Sequence, residues 1–364
     1  MAVTIKDIAQ IANVSHTTVS RALRDHPGIA PATTARIKQI AREMGYVPSA
    51  VARGLKTSRS GVLGVMVRRI TDPFLSEVLQ GIEDVLYEEG YSLFLAASNR
   101  DAQREKAIVR LMSERRVDGV IVCSSQVSEE HRRRLERFGV PTVLINNQAV
   151  EESSYAVYHD DVWGSRQVVG HLLALGHRRI AYLGNARGGR TTQDRLRGYR
   201  EGMSAAGLEV PAAYLVTAPN GLAEGGAVGA QTLLNLARRP SAIVCYNDLM
   251  AIGAMQVLQR AGVVVPHDCS VAGFDNVELA AYVNPPLTTF DQPKYKLGQQ
   301  AATMLLRLLD EESEPEGKGA ASMMMLRGRL CVRDSTAPPP QGRPDQGGTY
   351  EPVAATDQPG GAGG

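Results

Sequence analysis

From residue 61 the chain repeats one unit, a short apolar run rich in β-branched residues followed by a longer stretch with helical spacing. The runs read GVLGVMV, YSLFLAA, GVIVC, PTVLIN and YAVYHD, then RRIAYLG, AAYLVTA, SAIVCYND, CSVAGFD and LTTFDQ. Segments such as FLSEVLQGIEDVLYEEG and LMAIGAMQVLQRAG separate them. Apolar strands alternating with helices specify parallel sheets covered on both faces. Ten strands would be wide for one twisted open sheet. They fall into two sets of five, broken near residues 161–177, so the expectation is two similar lobes. A chain of 364 residues is too long for one compact core and leaves room for a further small domain.

The first 45 residues have a different texture. Thr4 and Asp7 make a capping-box pair that opens IKDIAQIA, with Ile5, Ile8, Ala9 and Ala12 on one face. Asn13-Val14 breaks the pattern, and Ser15 can cap a second helix, HTTVSRALR. A third helix places Ile37, Ile40, Ala41 and Met44 at helical spacing and stops at Gly45. Helix, tight turn, helix is the arrangement that lays its second helix in the DNA major groove. Val14, Val19, Ala22 and Leu23 carry the buried face of that helix, which leaves His16, Thr17 and Arg21 outward to read base edges. Ser15, Thr18 and Ser20 are placed for phosphates, which set register. Thr4 joins the DNA-binding set. Residues 1–60 hold nine Lys or Arg against three acids, a charge of +6 within a total of +2, so the remainder is −4. A basic module on an acidic body is the layout expected when one end meets phosphates.

Residues 46–60 form a polar connector with one apolar pair, Val51 and Leu55. IKDIAQIANVSHTTVSRAL read together with YVPSAVARGLK closely resembles the LacI family of bacterial repressors, and the hinge is similar to the purine repressor's version. The resemblance runs on through LMSERRVDGVIV, HLLALGHRRIAYLG, RLRGYREGM, YNDLMAIGAM, SVAGFDN and PPLTTFDQP, covering residues 3 to about 334. It implies a small all-α helix-turn-helix head plus an α/β two-lobed sensor, periplasmic-binding-protein-like, with two parallel sheets covered by helices. The expected boundaries are 1–46 for the head, 47–60 for the hinge helix and linker, and 61–336 for the effector-binding and dimerisation domain. Residues 337–364, rich in Pro and Gly, read as a disordered tail without the heptads of a coiled coil. In the family the hinge folds when two subunits place it in the minor groove. SAVARGLK, about two helical turns, is too short to be stable alone. Leu55 matches the leucine that wedges between central base pairs and bends the duplex, with Ala52 and Lys56 in the same DNA-binding segment. Relatives usually carry Ser or Thr where this chain has Ala30, which cannot cap the third helix, at a cost of about 1 kcal/mol.

In open α/β sheets ligands sit outside the carboxyl ends of strands. Residues that follow strands are therefore the effector-site candidates: Asp72 and Phe74 after the first, Asp160 after the fifth, Asn247 after SAIVCY, Asp275 after SVAGF, and Arg195 on the helix after RRIAYLGN. Carboxylates, an amide, a guanidinium and an aromatic suit a polyhydroxylated ligand. The resemblance implies that Arg195, Asn247 and Asp275 bind the effector, often a sugar, with a purine or another small metabolite as the alternative. Arg195 could instead only pair with Asp194 or Asp275, Asp248 should cap the helix after it, and Trp163 reads as core more than as a ligand platform.

Enzyme motifs are missing: the chain has no GxxxxGK loop, no GxGxxG after a strand and no GxSxG elbow. Four cysteines show no CxxC spacing, and His171 and His177 suit no common metal motif, so no cofactor is expected. The N-terminus does not read as a signal peptide, and no apolar run is long enough to span a membrane. The expectation is a cytoplasmic, non-enzymatic repressor. It would bind a palindromic operator in double-stranded DNA as a homodimer and respond to a small, probably carbohydrate, effector. A periplasmic sugar receptor would share the lobes but not the head.

Overall fold

A computed structural model describes residues 3–46, 59–123, 140–146, 155–311 and 323–340. The head is three helices, α1 Ile5–Ala12, α2 His16–Ala22 and α3 Pro31–Glu43. Thr4 and Asp7 complete the capping box, and Asn13 ends α1 in the left-handed conformation, φ 51°, that asparagine tolerates. Ser15 Oγ accepts the Thr18 N–H at 3.0 Å and so opens α2. Ala30 leaves α3 without a side-chain cap, with Pro31 in the first turn. Ile8, Ala12, Val19, Ala22 and Ile37 are buried together between the three helices. Arg36 reaches back to donate to the Ala12 carbonyl at 2.7 Å, joining α3 to the end of α1.

The remainder is two six-stranded sheets. The first-lobe strands are β1 Val62–Val67, β2 Ser92–Ala97, β3 Gly119–Cys123, β4 Thr142–Ile145, β5 Tyr155–His159 and β11 Met323–Leu326, in spatial order 11-5-4-3-1-2. The second lobe has β6 Ile180–Asn185, β7 Leu215–Ala218, β8 Ala242–Cys245, β9 Ser270–Asp275, β10 Thr288–Asp291 and β12 Arg329–Cys331, in order 12-10-9-8-6-7. All pairings are parallel except β10 with β12. The central strands are wholly buried, which is why they read as unbroken apolar runs. The helices are α4 Pro73–Glu88 and α5 Ala102–Glu114, then α6 Asp161–Ala174, α7 Arg190–Ala205, α8 Ala223–Leu234 and α9 Asp248–Arg260, and finally α10 Lys294–Glu311. Among the described residues no helix is long and apolar enough to cross a membrane.

The chain passes between the lobes three times. It leaves the first lobe after β5. It returns with α10, whose Leu297, Ala301 and Leu305 are buried against first-lobe Val78 and Ile82 of α4. Gly81 and Gly298 make that packing possible, because a Cβ on either would lie about 2 Å from a backbone carbonyl of the other helix. After β11 the chain crosses again into β12. These last two strands were absent from the sequence reading, and both are short and half-exposed at sheet edges.

Order also extends past the boundary expected at residue 336. Ala337 accepts from His177 Nε2 at 2.8 Å and Ser270 Oγ at 3.1 Å, so this residue is anchored to the second lobe. Residues 341–364, like the hinge residues Ala52, Leu55 and Lys56, lie outside the described residues.

Candidate functional site

Both sheets reverse strand order where β1 meets β3 and where β6 meets β8. At the carboxyl ends of these strands a cavity of about 90 Å³ opens between the lobes. Its first-lobe wall includes Arg68, Asp72, Phe74, Cys123 and Asn146. Its second-lobe wall is Thr191, Arg195, Tyr246, Asn247, Asp275 and Gln292. This is where doubly wound sheets place ligands.

Arg195 is the centre of the second wall. It is buried, with Nε donating to Asp161 Oδ1 at 2.8 Å, Nη1 donating to the Tyr246 carbonyl, and Nη2 3.3 Å from Asp275 Oδ1. Its guanidinium lies 3.9 Å from the Phe274 ring centroid and 4.8 Å from that of Tyr246. Burial works to lower its pKa, but Asp161 and Asp275 outweigh burial and raise it. Burial likewise works to raise Asp161, and Arg195 with His159 holds it below the usual carboxylate range. Asp275 sits at φ 113°, a strained backbone for any residue but glycine. Gln292 Nε2 donates to Asp275 Oδ1 at 2.6 Å. Gln292 Oε1 is buried and has no protein partner, although Gln292 lines the cavity. Behind this wall Asp248 is fully buried and accepts the Val277 N–H at 2.8 Å and the Thr289 hydroxyl. Burial first, and then the charge of Asp275, pushes Asp248 up to about 8, and burial pushes Asp275 to about 6.

The structure brings Asp72, Phe74, Arg195, Asn247 and Asp275 to the cavity, but not Asp160. Asp160 Oδ1 caps α6 by accepting the Trp163 N–H at 3.0 Å, and Oδ2 lies 3.8 Å from Arg327. Asp72 also caps, accepting the Phe74 N–H at 3.3 Å, and pairs with Arg68 at 3.1 Å. The cap of α9 is Asn247, not Asp248: Asn247 accepts from the Met250 N–H at 3.0 Å and donates Nδ2 to Gly221 O at 3.1 Å. Asp248 is one residue inside that helix, bonded to β10 and the turn after β9 instead. Arg195 pairs with Asp161 and Asp275, whereas Asp194 takes Arg190 and Arg197. Trp163 packs edge-on against Phe290 at 5.7 Å and does not line the cavity. Sequence reasoning missed Arg68, Asp161, Thr191, Tyr246 and Gln292. Gln292 stands directly after β10, so the rule that found Asp275 would have found it.

In the head, His16, Thr17 and Arg21 are exposed along one side of α2, while Val19 and Ala22 are buried. The Ser15 and Thr18 hydroxyls are 2.9 Å apart and engaged in the cap, and the Thr4 hydroxyl donates to Asp7 at 2.8 Å. Those three hydroxyls are therefore already committed in the head alone.

Two family models match this architecture: bacterial regulatory proteins of the lacI family over residues 4–49, and a periplasmic binding protein-like domain over residues 169–336. A Vibrio campbellii protein named HTH-type transcriptional repressor PurR is 36% identical over 313 residues, 85% of this chain and 93% of its own length. The chain belongs to the LacI family of bacterial regulatory proteins. Solved structures agree with the membership. The lac repressor dimer bound to operator and the anti-inducer ONPF superposes with a TM-score of 0.83 at 25% identity, covering 93% of this chain and 100% of that one. A complex of the transcriptional regulator CelR with cellobiose gives 0.71 at 28% identity, covering 92% and 99%. This LacI-family member is thus a DNA-binding regulator with a helix-turn-helix head and a two-lobed sensor.

Proposed function

We propose that this LacI-family protein is a cytoplasmic, non-enzymatic repressor that works as a homodimer and is controlled by a sugar or sugar derivative bound between its lobes. Gln292 carries the effector half of this reading. A buried acceptor without a protein partner is costly, and here it sits on the wall of an inter-lobe cavity beside Asp275 and Arg195. A ligand hydroxyl donating to Gln292 Oε1 and to Asp275 would satisfy both, with Phe74 and Tyr246 against the apolar face of a ring. The cavity, at about 90 Å³, is far below the roughly 300 Å³ at which drug-sized pockets begin, which favours a single small ring. A purine is the second reading, favoured by the relative named PurR.

On DNA, Arg21, His16 and Thr17 would read bases, Thr4, Ser15 and Thr18 would lie near the backbone, and Ala52, Leu55 and Lys56 would enter the minor groove. Leu55 from each subunit would wedge a central CpG step of a two-fold symmetric operator. Closure of the cleft changes how the two first lobes sit together and so the spacing of two marginal hinge helices. The effector shifts that balance only by preferring one closure state. The test is operator affinity by fluorescence anisotropy across a panel of sugars and purines, with Asp275→Asn beside the wild type. Losing a charge-assisted bond should weaken effector binding by about 1.5–3 kcal/mol while leaving operator affinity of the free protein unchanged. A variant responding at the same effector concentration would refute the cleft assignment.

A further inference from the structure

Two arginines on opposite lobes have no carboxylate partner among the described residues. Arg100 follows β2 in the first lobe, and Arg187 follows β6 in the second. The β2 turn is fixed next to β1, because the Asn99 N–H donates to the Arg68 carbonyl at 2.8 Å. Arg68 and Arg69 share one carboxylate, Asp72, at 3.1 and 3.9 Å. Arg100 itself is held at φ 62°, a left-handed conformation that arginine rarely adopts and that tends to persist where function requires it. Across the cleft, the turn carrying Arg187 packs on the cavity wall: a Cβ on Gly188 would lie 2.9 Å from the Tyr246 hydroxyl. Next in the chain, Gly189 starts α7 without a side-chain cap, and Thr191 of its first turn lines the cavity. The positive end of a 16-residue helix therefore adds to the arginines.

The four arginines sense one another. Partial burial, followed by the charges of Arg68, Arg187 and Arg69, pushes Arg100 down to about 10, which leaves it charged at neutral pH. Four guanidinium groups against one carboxylate make this side of the cleft strongly positive. Repulsion between Arg100 and Arg187 resists closure of the lobes, and an anion placed between them would reverse the sign of that interaction.

The geometry points to an effector that carries an anionic group, phosphate or carboxylate, seated between Arg100 of the first lobe and Arg187 of the second, alongside Arg68. This deepens, and rests on, the reading of the cleft as the effector site. It also supplies a closing force that a neutral sugar lacks, since one group on the ligand engages both lobes.

The test is thermal unfolding of the full chain at constant ionic strength, with potassium phosphate replacing chloride, then with glucose, glucuronate and glucose 6-phosphate. Phosphate should raise the midpoint in a saturable way, and Arg100→Gln/Arg187→Gln should weaken its apparent affinity by about tenfold or more. In chloride the double variant should melt no lower than the wild type, because a repulsion has been removed. Glucuronate and glucose 6-phosphate distinguish carboxylate from phosphate, and each should lose its advantage over glucose in the double variant. Equal responses of wild type and double variant to phosphate and to both anionic sugars would overturn the inference. If, in addition, a neutral ligand acts on both proteins and loses its effect in Asp275→Asn, the anion seat fails while the cleft reading stands. If Asp275→Asn changes no response, the cleft reading itself has failed.

Discussion

Replacing Asp248 by asparagine isolates the cost of the buried carboxylate pair behind the cleft. Asp248 is fully buried, and its pKa stands near 8 against an ordinary 3.8, raised first by burial and next by Asp275. Between those two values the folded protein holds one proton that the unfolded chain has released. Stability therefore falls as pH rises, by about 1.4 kcal/mol per pH unit from this group. Over the roughly three units from pH 4.5 to 7.5 the cost is about 4 kcal/mol. Asparagine is neutral in both states, and its amide can accept from the Val277 N–H and donate to Thr289 Oγ1, the partners that Asp248 has now. Asp248→Asn should match the wild type near pH 4.5 and exceed it increasingly up to pH 7.5. His171 and His177 act with the opposite sign: burial lowers both, so their contribution is present above about 6.5 and lost as pH falls. They are common to both proteins and cancel in the difference. Urea unfolding followed by the fluorescence of Trp163, the one tryptophan, reads the right lobe, since that ring packs on Phe290 of β10. A stability difference that stays constant across this pH range would show that Asp248 is ionised in the fold and refute the reasoning.

Ala30→Ser should stabilise the head by about 1 kcal/mol by supplying the missing cap of α3, read as slower amide exchange in the first turns of that helix. Arg21→Ala should lose about 1–3 kcal/mol of operator binding and relax preference at one base per half-site, whereas Lys56→Ala should weaken all sequences alike. Selection of sites from random DNA distinguishes the two, and an unchanged preference in Arg21→Ala means that the reading face is wrongly assigned. Sedimentation should give a dimer, and a concentration-independent tetramer would contradict the absence of a further coiled-coil seam in the sequence.

The ten strands were legible because each is buried on both faces and leaves an uninterrupted apolar run. The head was legible because its caps are spelled out by Thr4, Asp7 and Ser15. What failed has physical causes. Searching just after strands selects ligand residues and helix caps alike, since in a βα unit the residue that leaves the strand is also the one that opens the helix. Asp72, Asp160 and Asn247 all cap, and only Asp72 and Asn247 also reach the cavity. Arg195 could be assigned to the site without its main partner, because Asp161 is hidden at the first position of α6. Strands β11 and β12 were missed because MMML and RLC are short edge strands with half-exposed residues, and no periodicity says which sheet they join.

The same crossings that were illegible in sequence are where the candidate site is built. At the first, Asp160 caps α6 and Asp161 holds Arg195. At the second, Gln292 bonds the Asp275 carboxylate, and two residues later the buried Lys294 donates to the carbonyls of Asp275 and Asn276 at 2.8 and 3.0 Å. Lys294 also lies 3.3 Å from Glu77 of α4, in the first lobe. At the third, Arg327 returns to Asp160. The backbone of Asp275 is thus tied, through one lysine, to the segment about which the lobes must turn and to a first-lobe helix. A ligand that draws on the Asp275 side chain acts on a residue whose main chain is already part of the hinge. Occupancy and lobe angle are therefore coupled locally, without any longer path through the protein. Lys294→Met should accordingly weaken the response of operator affinity to effector more than it weakens effector binding, because it cuts the tie to Glu77 while leaving the Asp275 carboxylate in place. Equal losses in both, from calorimetry and anisotropy on one preparation, would mean that the lysine only supports the site.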